Sequence, residues 1–257
     1  MRRTMPEIKA IFFDQDGVIV DTERDGHRVA FNRAFESFGF DVRWDVPKYH
    51  EMLQVGGGKE RMRHQLRTGG FGREIPPDQE DALIAQLHQC KTDIFIEMIE
   101  RRQLPLRPGV HRLMQEACRR GLMLGVCTTS AERAARSILE GLLADMHFDL
   151  VLAGDVVNRK KPDPEIYLLA LEKTGLRPER CVVVEDSSNG VKAAKAAGMN
   201  VVATVNDYTR DEDLSLADIV LSCLGDEDGP QAELIRSRKP WKIDGIVRVT
   251  DLVNYFQ

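Results

Sequence analysis

Five short runs of almost unbroken apolar residues limit what this chain can fold into: IKAIFF (Ile8–Phe13), LMLGVC (Leu122–Cys127), FDLVLA (Phe148–Ala153), CVVVE (Cys181–Glu185) and NVVAT (Asn200–Thr204). A strand with one wet face alternates apolar and polar residues, whereas a run without alternation suits a strand buried on both faces. Helical periodicity occupies the intervals at 110–120, 131–142, 164–174 and 188–197. Strands spaced by helices predict an α/β fold, a Rossmann-like parallel sheet core covered by helices. ADIVLS (Ala217–Ser222) adds a further strand, and the less regular Pro230–Gln257 reads as a terminal strand and helix packing back on the core.

The first run stands apart from the rest. Residues 23–103, which follow it, are mostly helical in pattern: Val29, Phe31, Ala34, Phe35 and Phe38 repeat at helical spacing. GGGKERMRHQLR (Gly56–Arg67) is a glycine run feeding a basic helix, and 78–102 reads as a longer helix with Ile84, Leu87, Cys90, Ile94, Phe95, Met98 and Ile99 near one face. A direct link between neighbouring strands needs a far shorter stretch. We therefore expect an all-helical cap domain, 23–103, inserted into a core made of 1–22 and 104–257. Such a cap would close over the carboxyl ends of the strands, where open α/β sheets bind ligands.

Composition excludes some partners. The net charge of −5 argues against a nucleic-acid footprint but leaves room for a local positive site that takes an anionic metabolite. Five cysteines without a CxxC pair read as reduced thiols. There is no long apolar run of membrane-spanning length and no signal-like segment, so no membrane partner is expected. The expected location is the cytoplasm, or the plastid stroma if the chain is a processed or truncated form. A monomer is expected, because the cap supplies its own lid.

Polar residues of several kinds stand just after four of the strands: Asp14 and Asp16, then Thr128 and Thr129, then Lys160 and Lys161, then Glu185 and Asp186. Each has an ordinary alternative. The two aspartates could form a solvent-facing turn, and Thr128, Thr129 or Ser130 could cap the next helix. The lysines could be a solvated pair, and Glu185 and Asp186 could cap the helix near Ser188. Their coincidence at four strand ends points instead to phosphoryl transfer. A carboxylate can attack phosphorus, and a divalent cation held by hard oxygens lets it approach an anionic phosphate. Lysine and threonine suit the phosphoryl oxygens, and a second carboxyl can move the proton.

At these positions the chain resembles the haloacid dehalogenase-like superfamily, through DQDGV, VCTTS, NRKKPDPEIY and VVVEDSSNGVKAAKAAGM taken in order. The resemblance implies that Asp14 is the nucleophile and an Mg²⁺ ligand. It makes Asp16 the general acid/base, with its backbone carbonyl on the metal. Thr128 and Lys161 would hold the phosphoryl oxygens, and Asp186 and Glu185 would complete the metal site, Glu185 directly or through water. The cap resembles the phosphoglucomutase-like branch, and within that branch the chain resembles the CbbY-type phosphatases of plants and bacteria through DTERDGHRVAFN, GGGKERM, LPLRPGV, AGDVVNRKKPDPEIY and YTRDED. That likeness implies hydrolysis of xylulose 1,5-bisphosphate, an inhibitor of Rubisco, to xylulose 5-phosphate in support of the Calvin cycle.

A bisphosphate needs a grip for the phosphate that does not react. Lys59, Arg61 and Arg63 lie beside glycines, including Gly57 and Gly58, whose backbone can approach an anion closely. Arg61 and Arg63 could equally belong to a solvated helix face. Glu23 and His27 are candidates for the sugar hydroxyls, and Thr129 for a further substrate contact. His64 and His111 read as ordinary surface or structural residues. Two other functions share the same core residues: a β-phosphoglucomutase-like mutase and a catalytically silent metal-binding interaction protein.

Overall fold

The computed structural model describes residues 7–55, 58–154 and 156–257. The chain divides into two compact units, Thr22–Leu104 and the remainder, Met1–Asp21 with Pro105–Gln257. The larger unit is built on seven strands: β1 (Ala10–Phe13), β2 (Met123–Cys127), β3 (Leu150–Leu152), β4 (Cys181–Glu185), β5 (Asn200–Thr204), β6 (Ile219–Leu221) and β7 (Leu234–Ser237). Their order across the sheet is β3-β2-β1-β4-β5-β6-β7. The first six are parallel, and β7 runs antiparallel on β6. β1 lies inside the sheet between β2 and β4, with Ala10 in register with Met123 on one side and Cys181 on the other.

Unbroken apolarity in the sequence thus corresponds to burial on two faces. One face of the sheet, with Phe12, Val183, Val201 and Ala203, packs against Ile166, Tyr167 and Ala170 of α7 (Glu165–Thr174) and Val191 and Ala194 of α8 (Ser188–Ala196). Burying each such aliphatic or aromatic side chain contributes about 1.5–3 kcal/mol relative to leaving it in water. Two more helices fall between these strands, α5 (Val110–Arg119) and α6 (Glu132–Leu142), and α9 (Val249–Phe256) ends the chain. β1, β2 and β3 are shorter than their apolar runs by one to three residues, because the pairing ladder stops where the chain turns into a loop, whereas β4 and β5 coincide with theirs. Cys127, Cys181 and Cys223 are buried, and all five cysteines are free thiols.

The smaller unit is all-helical: a π-helical turn at Thr22–His27, then α1 (Arg28–Ser37), α2 (Val46–Leu53), α3 (Gly58–Thr68) and α4 (Glu80–Glu100). α2 has no counterpart in the periodicity reading. It is short and is started by a local device: Asp45 accepts a hydrogen bond from the Lys48 N–H at 2.7 Å, and Pro47 sits in the first turn. Phe31, Phe35, Trp44, Tyr49 and Phe71 form an aromatic core, with Trp44 edge-on to Phe35 at 5.0 Å. Trp44 Nε1 donates to Gln65 Oε1 at 2.9 Å, so the indole is buried without losing its hydrogen bond. Among the described residues, no helix is long and apolar enough to cross a membrane.

Candidate active site

The parallel register lines up the carboxyl ends of β1, β2, β3 and β4, so the loops after them emerge side by side. Asp14, Glu185 and Asp186 are buried there, each with a carboxylate oxygen within 4.8 Å of the others. Lys161 enters the same space. Its Nζ donates to Asp14 Oδ1 at 2.6 Å, Glu185 Oε1 at 2.6 Å and the Cys127 carbonyl at 2.9 Å. The lysine side chain is only 7% exposed, while Lys160 is exposed. Tyr167 completes the floor: its hydroxyl donates to Glu185 Oε1 at 2.7 Å, and its ring lies 5.0 Å from the lysine nitrogen.

α8 is capped by Ser187, whose hydroxyl accepts from the Gly190 N–H at 3.1 Å, so Glu185 and Asp186 do not serve as its cap. Asp186 instead accepts from Asn206 Nδ2 at 2.7 Å. α6 has no side-chain cap at its N-cap residue, Ala131, and Thr128 Oγ1 accepts from the Ser130 N–H at 3.1 Å. Thr128 is buried at the end of β2, and Thr129 is half-buried beside it. Asp16 is half-buried and accepts a hydrogen bond from the Ser130 hydroxyl. Its side chain lies outside the three-carboxylate group. Gly17 is the one residue type its place allows: φ is +82°, and a Cβ would overlap Asp186 and come 2.7 Å from Asn206 Nδ2.

Three carboxylates against one ammonium leave an excess of negative charge in a dry space. Burial first, then repulsion from Glu185 and Asp16, pushes the Asp14 carboxyl up to about 7 against the pull of Lys161. Burial, reinforced by Glu185 and Asp14, likewise raises Asp186 well above the ordinary carboxylate range. Burial works against the charge of Lys161, but Asp14 and Glu185 override it and hold the ammonium well above its usual value. A hard dication suits this set: oxygen donors only, excess negative charge, and carboxyls whose raised values a cation would reverse. Lys161 and Asn206 each occupy a single oxygen of Asp14 and Asp186, so both residues keep a second oxygen for a metal. The Cys127 thiol, pushed up to about 12 by burial, is no competing nucleophile.

The helical unit carries its own polar cluster. Tyr49 donates to Glu23 Oε2 at 2.5 Å, and Arg61 Nη1 donates to the Tyr49 hydroxyl at 3.2 Å. Lys91 Nζ donates to His27 Nδ1 at 2.9 Å and lies 5.0 Å and 5.1 Å from the rings of Phe31 and Phe95. An ammonium can only donate, so His27 carries its proton on Nε2. Burial first, then the positive charges of Lys91, Arg61 and His88, keeps that imidazole neutral, well below its usual value. Arg61 is embedded, at 14% exposure, whereas Arg63 spends its guanidinium on Asp81 at 2.9 Å and Glu60 at 3.4 Å on a more exposed side. On these placements Arg61 belongs to the cluster and Arg63 does not. Lys59 is exposed near His88, and Gly58 opens α3. Gly57 lies outside the described residues.

Tyr49, Lys91, Ser130, Tyr167 and Asn206 were not among the residues that sequence reasoning selected. Ser130 and Tyr167 sit inside the motifs VCTTS and NRKKPDPEIY, so the signal for them was one step away. Lys91 had only a weaker signal: a lysine on an otherwise apolar helical face.

A parallel α/β sheet whose strand ends gather an aspartate pair, a threonine, a lysine and a second acidic pair defines a phosphoryl-transfer hydrolase of the aspartate-nucleophile kind. Residues 8–198 match the haloacid dehalogenase-like hydrolases, and the chain belongs to that family. It is 48% identical over 227 residues to a CBBY-like protein of Arabidopsis thaliana, a match covering 87% of this chain and 70% of that one. It is 40% identical to protein CbbY of Cereibacter sphaeroides, covering 86% and 95%. Its structure superposes with a TM-score of 0.65 on CbbY from Rhodobacter sphaeroides in complex with xylulose 1,5-bisphosphate, at 38% identity over 84% of this chain and 94% of that one. The chain is an Mg²⁺-dependent phosphoric monoester hydrolase.

Proposed function

We propose that this enzyme removes the 1-phosphate of xylulose 1,5-bisphosphate to give xylulose 5-phosphate. The observation that carries the chemistry is Lys161 bridging Asp14 and Glu185 at 2.6 Å beside Asp186. Asp14 attacks phosphorus, forming an aspartyl phosphate, as the bond from phosphorus to the ester oxygen breaks. Asp16 gives its proton to that departing oxygen, and Ser130 holds its carboxyl in place. Asp16 then takes a proton from water as the water oxygen attacks phosphorus, which frees phosphate and restores Asp14. Lys161 and the Thr128 hydroxyl hold the phosphoryl oxygens. Asp14, Asp186, Glu185 and the Asp16 carbonyl would hold Mg²⁺, which offsets the charge of carboxylate and phosphate when bound.

The helical unit supplies specificity. Arg61, Lys91 and Lys59 offer positive charge to the phosphate that does not react, and Glu23 and His27 offer hydrogen bonds to sugar hydroxyls. The remaining proposals concern context: a monomer, in the cytoplasm or the plastid stroma, with a small phosphorylated sugar and no nucleic acid as partner. The deciding experiment follows phosphate release and product identity with Mg²⁺ on a panel of sugar phosphates. Selective release of one phosphate from xylulose 1,5-bisphosphate is the expected result. Conversion of β-glucose 1-phosphate to glucose 6-phosphate without free phosphate would overturn it in favour of a mutase, and no turnover at all would favour a silent binding protein.

A further inference from the structure

The segment LPLRPGV has no part in the chemistry above, yet its arginine reaches the scaffold of the site. Arg107 Nη1 donates to the carbonyl of Gly17, the residue after Asp16, with the Thr204 carbonyl at 3.5 Å. Nη2 donates to the Val205 carbonyl at 2.6 Å and the Ser222 carbonyl at 3.3 Å. The Arg107 backbone N–H donates to the Ile19 carbonyl at 2.9 Å. One guanidinium therefore collects carbonyls from the turn after β1 and from the ends of β5 and β6. The turn after β1 presents Asp16, and the end of β5 leads into the residue that holds Asp186. The residue after Val205 is Asn206, whose amide holds Asp186, and Gly17 packs against that Asn206–Asp186 pair.

A flat guanidinium carries five N–H donors in a fixed fork and can span several acceptors at once, which a lysine point charge cannot. Its contacts are also far apart in sequence, so no local turn rule could replace it. We propose that Arg107 is a positioning residue of the phosphoryl-transfer site. Its guanidinium fixes the Asp16–Gly17 turn against the Val205–Asn206 strand end, and so sets both the aim of Asp16 and the orientation of Asp186. This rests on the roles given above to Asp16 and Asp186.

The test compares the parent with Arg107→Ala, Arg107→Lys and Arg107→Gln in two readouts: steady-state hydrolysis of xylulose 1,5-bisphosphate, and calorimetric titration with Mg²⁺ alone. The expected kcat loss is about 10- to 100-fold, with Mg²⁺ binding weakened by a similar factor, as is usual for groups that orient ligands from behind. KM should change little, because no substrate contact is removed. Guanidinium chloride at non-denaturing concentration should restore part of the kcat of Arg107→Ala and leave the parent unchanged, while Arg107→Lys stays impaired. Parental kcat and Mg²⁺ affinity in any variant whose circular dichroism shows it folded would overturn the proposal, leaving Arg107 a structural staple. Arg107→Gln keeps this decidable if the alanine variant does not fold. An inactive parent would count against the assigned function, and the Mg²⁺ titration would still decide whether Arg107 acts on Asp186.

Discussion

Lys161 touches Asp14 and Glu185 together because three carboxylates share a space that water barely enters, and only a nearby cation makes their charge tolerable. Charge and reactivity are inseparable at this position. Asp16→Asn removes the proton carrier without altering size, so turnover should fall about 10²- to 10⁴-fold. Asp14→Asn removes the attacking oxygen and should leave no measurable phosphate release. Circular dichroism of both variants should match the parent. Lys91 presents the opposite situation, a cation that burial pushes down to about 8. An unfolded lysine titrates near about 10.4, so between these values the unfolded chain binds more protons and stability rises with pH. Below about pH 8 the folded state bears the full cost of the buried charge. Lys91→Met should thus melt higher than the parent at pH 7, and the gap should close by about pH 10. If Lys91 serves the distal phosphate, the same variant should raise KM for the bisphosphate about tenfold or more, as for loss of a hydrogen bond to a charged group, and spare monophosphates.

At the scale of elements, the first turn of α8 is shaped around a carboxylate. A Cβ on Gly190 would overlap the carboxyl group of Glu185, so the helix can start so close to β4 only with glycine there. Gly190→Ala should displace Glu185 and weaken Mg²⁺ binding about 10- to 100-fold by calorimetry, with the helix content unchanged. Strand ends and the residues on them were legible in the sequence, because burial on two faces writes itself as an unbroken apolar run. Lys161 rather than Lys160 came from the family resemblance, in which the third motif's lysine falls directly before Pro162. Tyr49, Asn206 and Arg107 could not be selected this way: their partners lie 26, 20 and 90 positions away, and no periodicity records such meetings. α2 was missed for a different reason. Its start depends on one aspartate and one proline, too little to register as a period.

For the whole molecule, the site's unbalanced charge couples metal to stability. A cation that binds the folded chain alone stabilises it by about 2.7 kcal/mol at a hundred times its dissociation constant. Saturating Mg²⁺ should therefore raise the melting temperature, EDTA should reverse the rise, and Asp186→Asn should show little of it. The sheet order has a separate consequence, for the time of synthesis. Ala10–Phe13 is an interior strand of the sheet, yet its neighbours begin at Met123 and Cys181. At about 5–20 residues per second, a ribosome takes roughly ten to thirty seconds to make the chain that separates Ala10 from its later neighbour. Thr22–Leu104, being contiguous, has all its internal contacts much sooner. The nascent chain thus carries an uncharged, fully apolar segment without a partner while a complete helical unit forms behind it. That interval, rather than any weakness of the finished enzyme, is when aggregation competes with folding, and slower synthesis lengthens it.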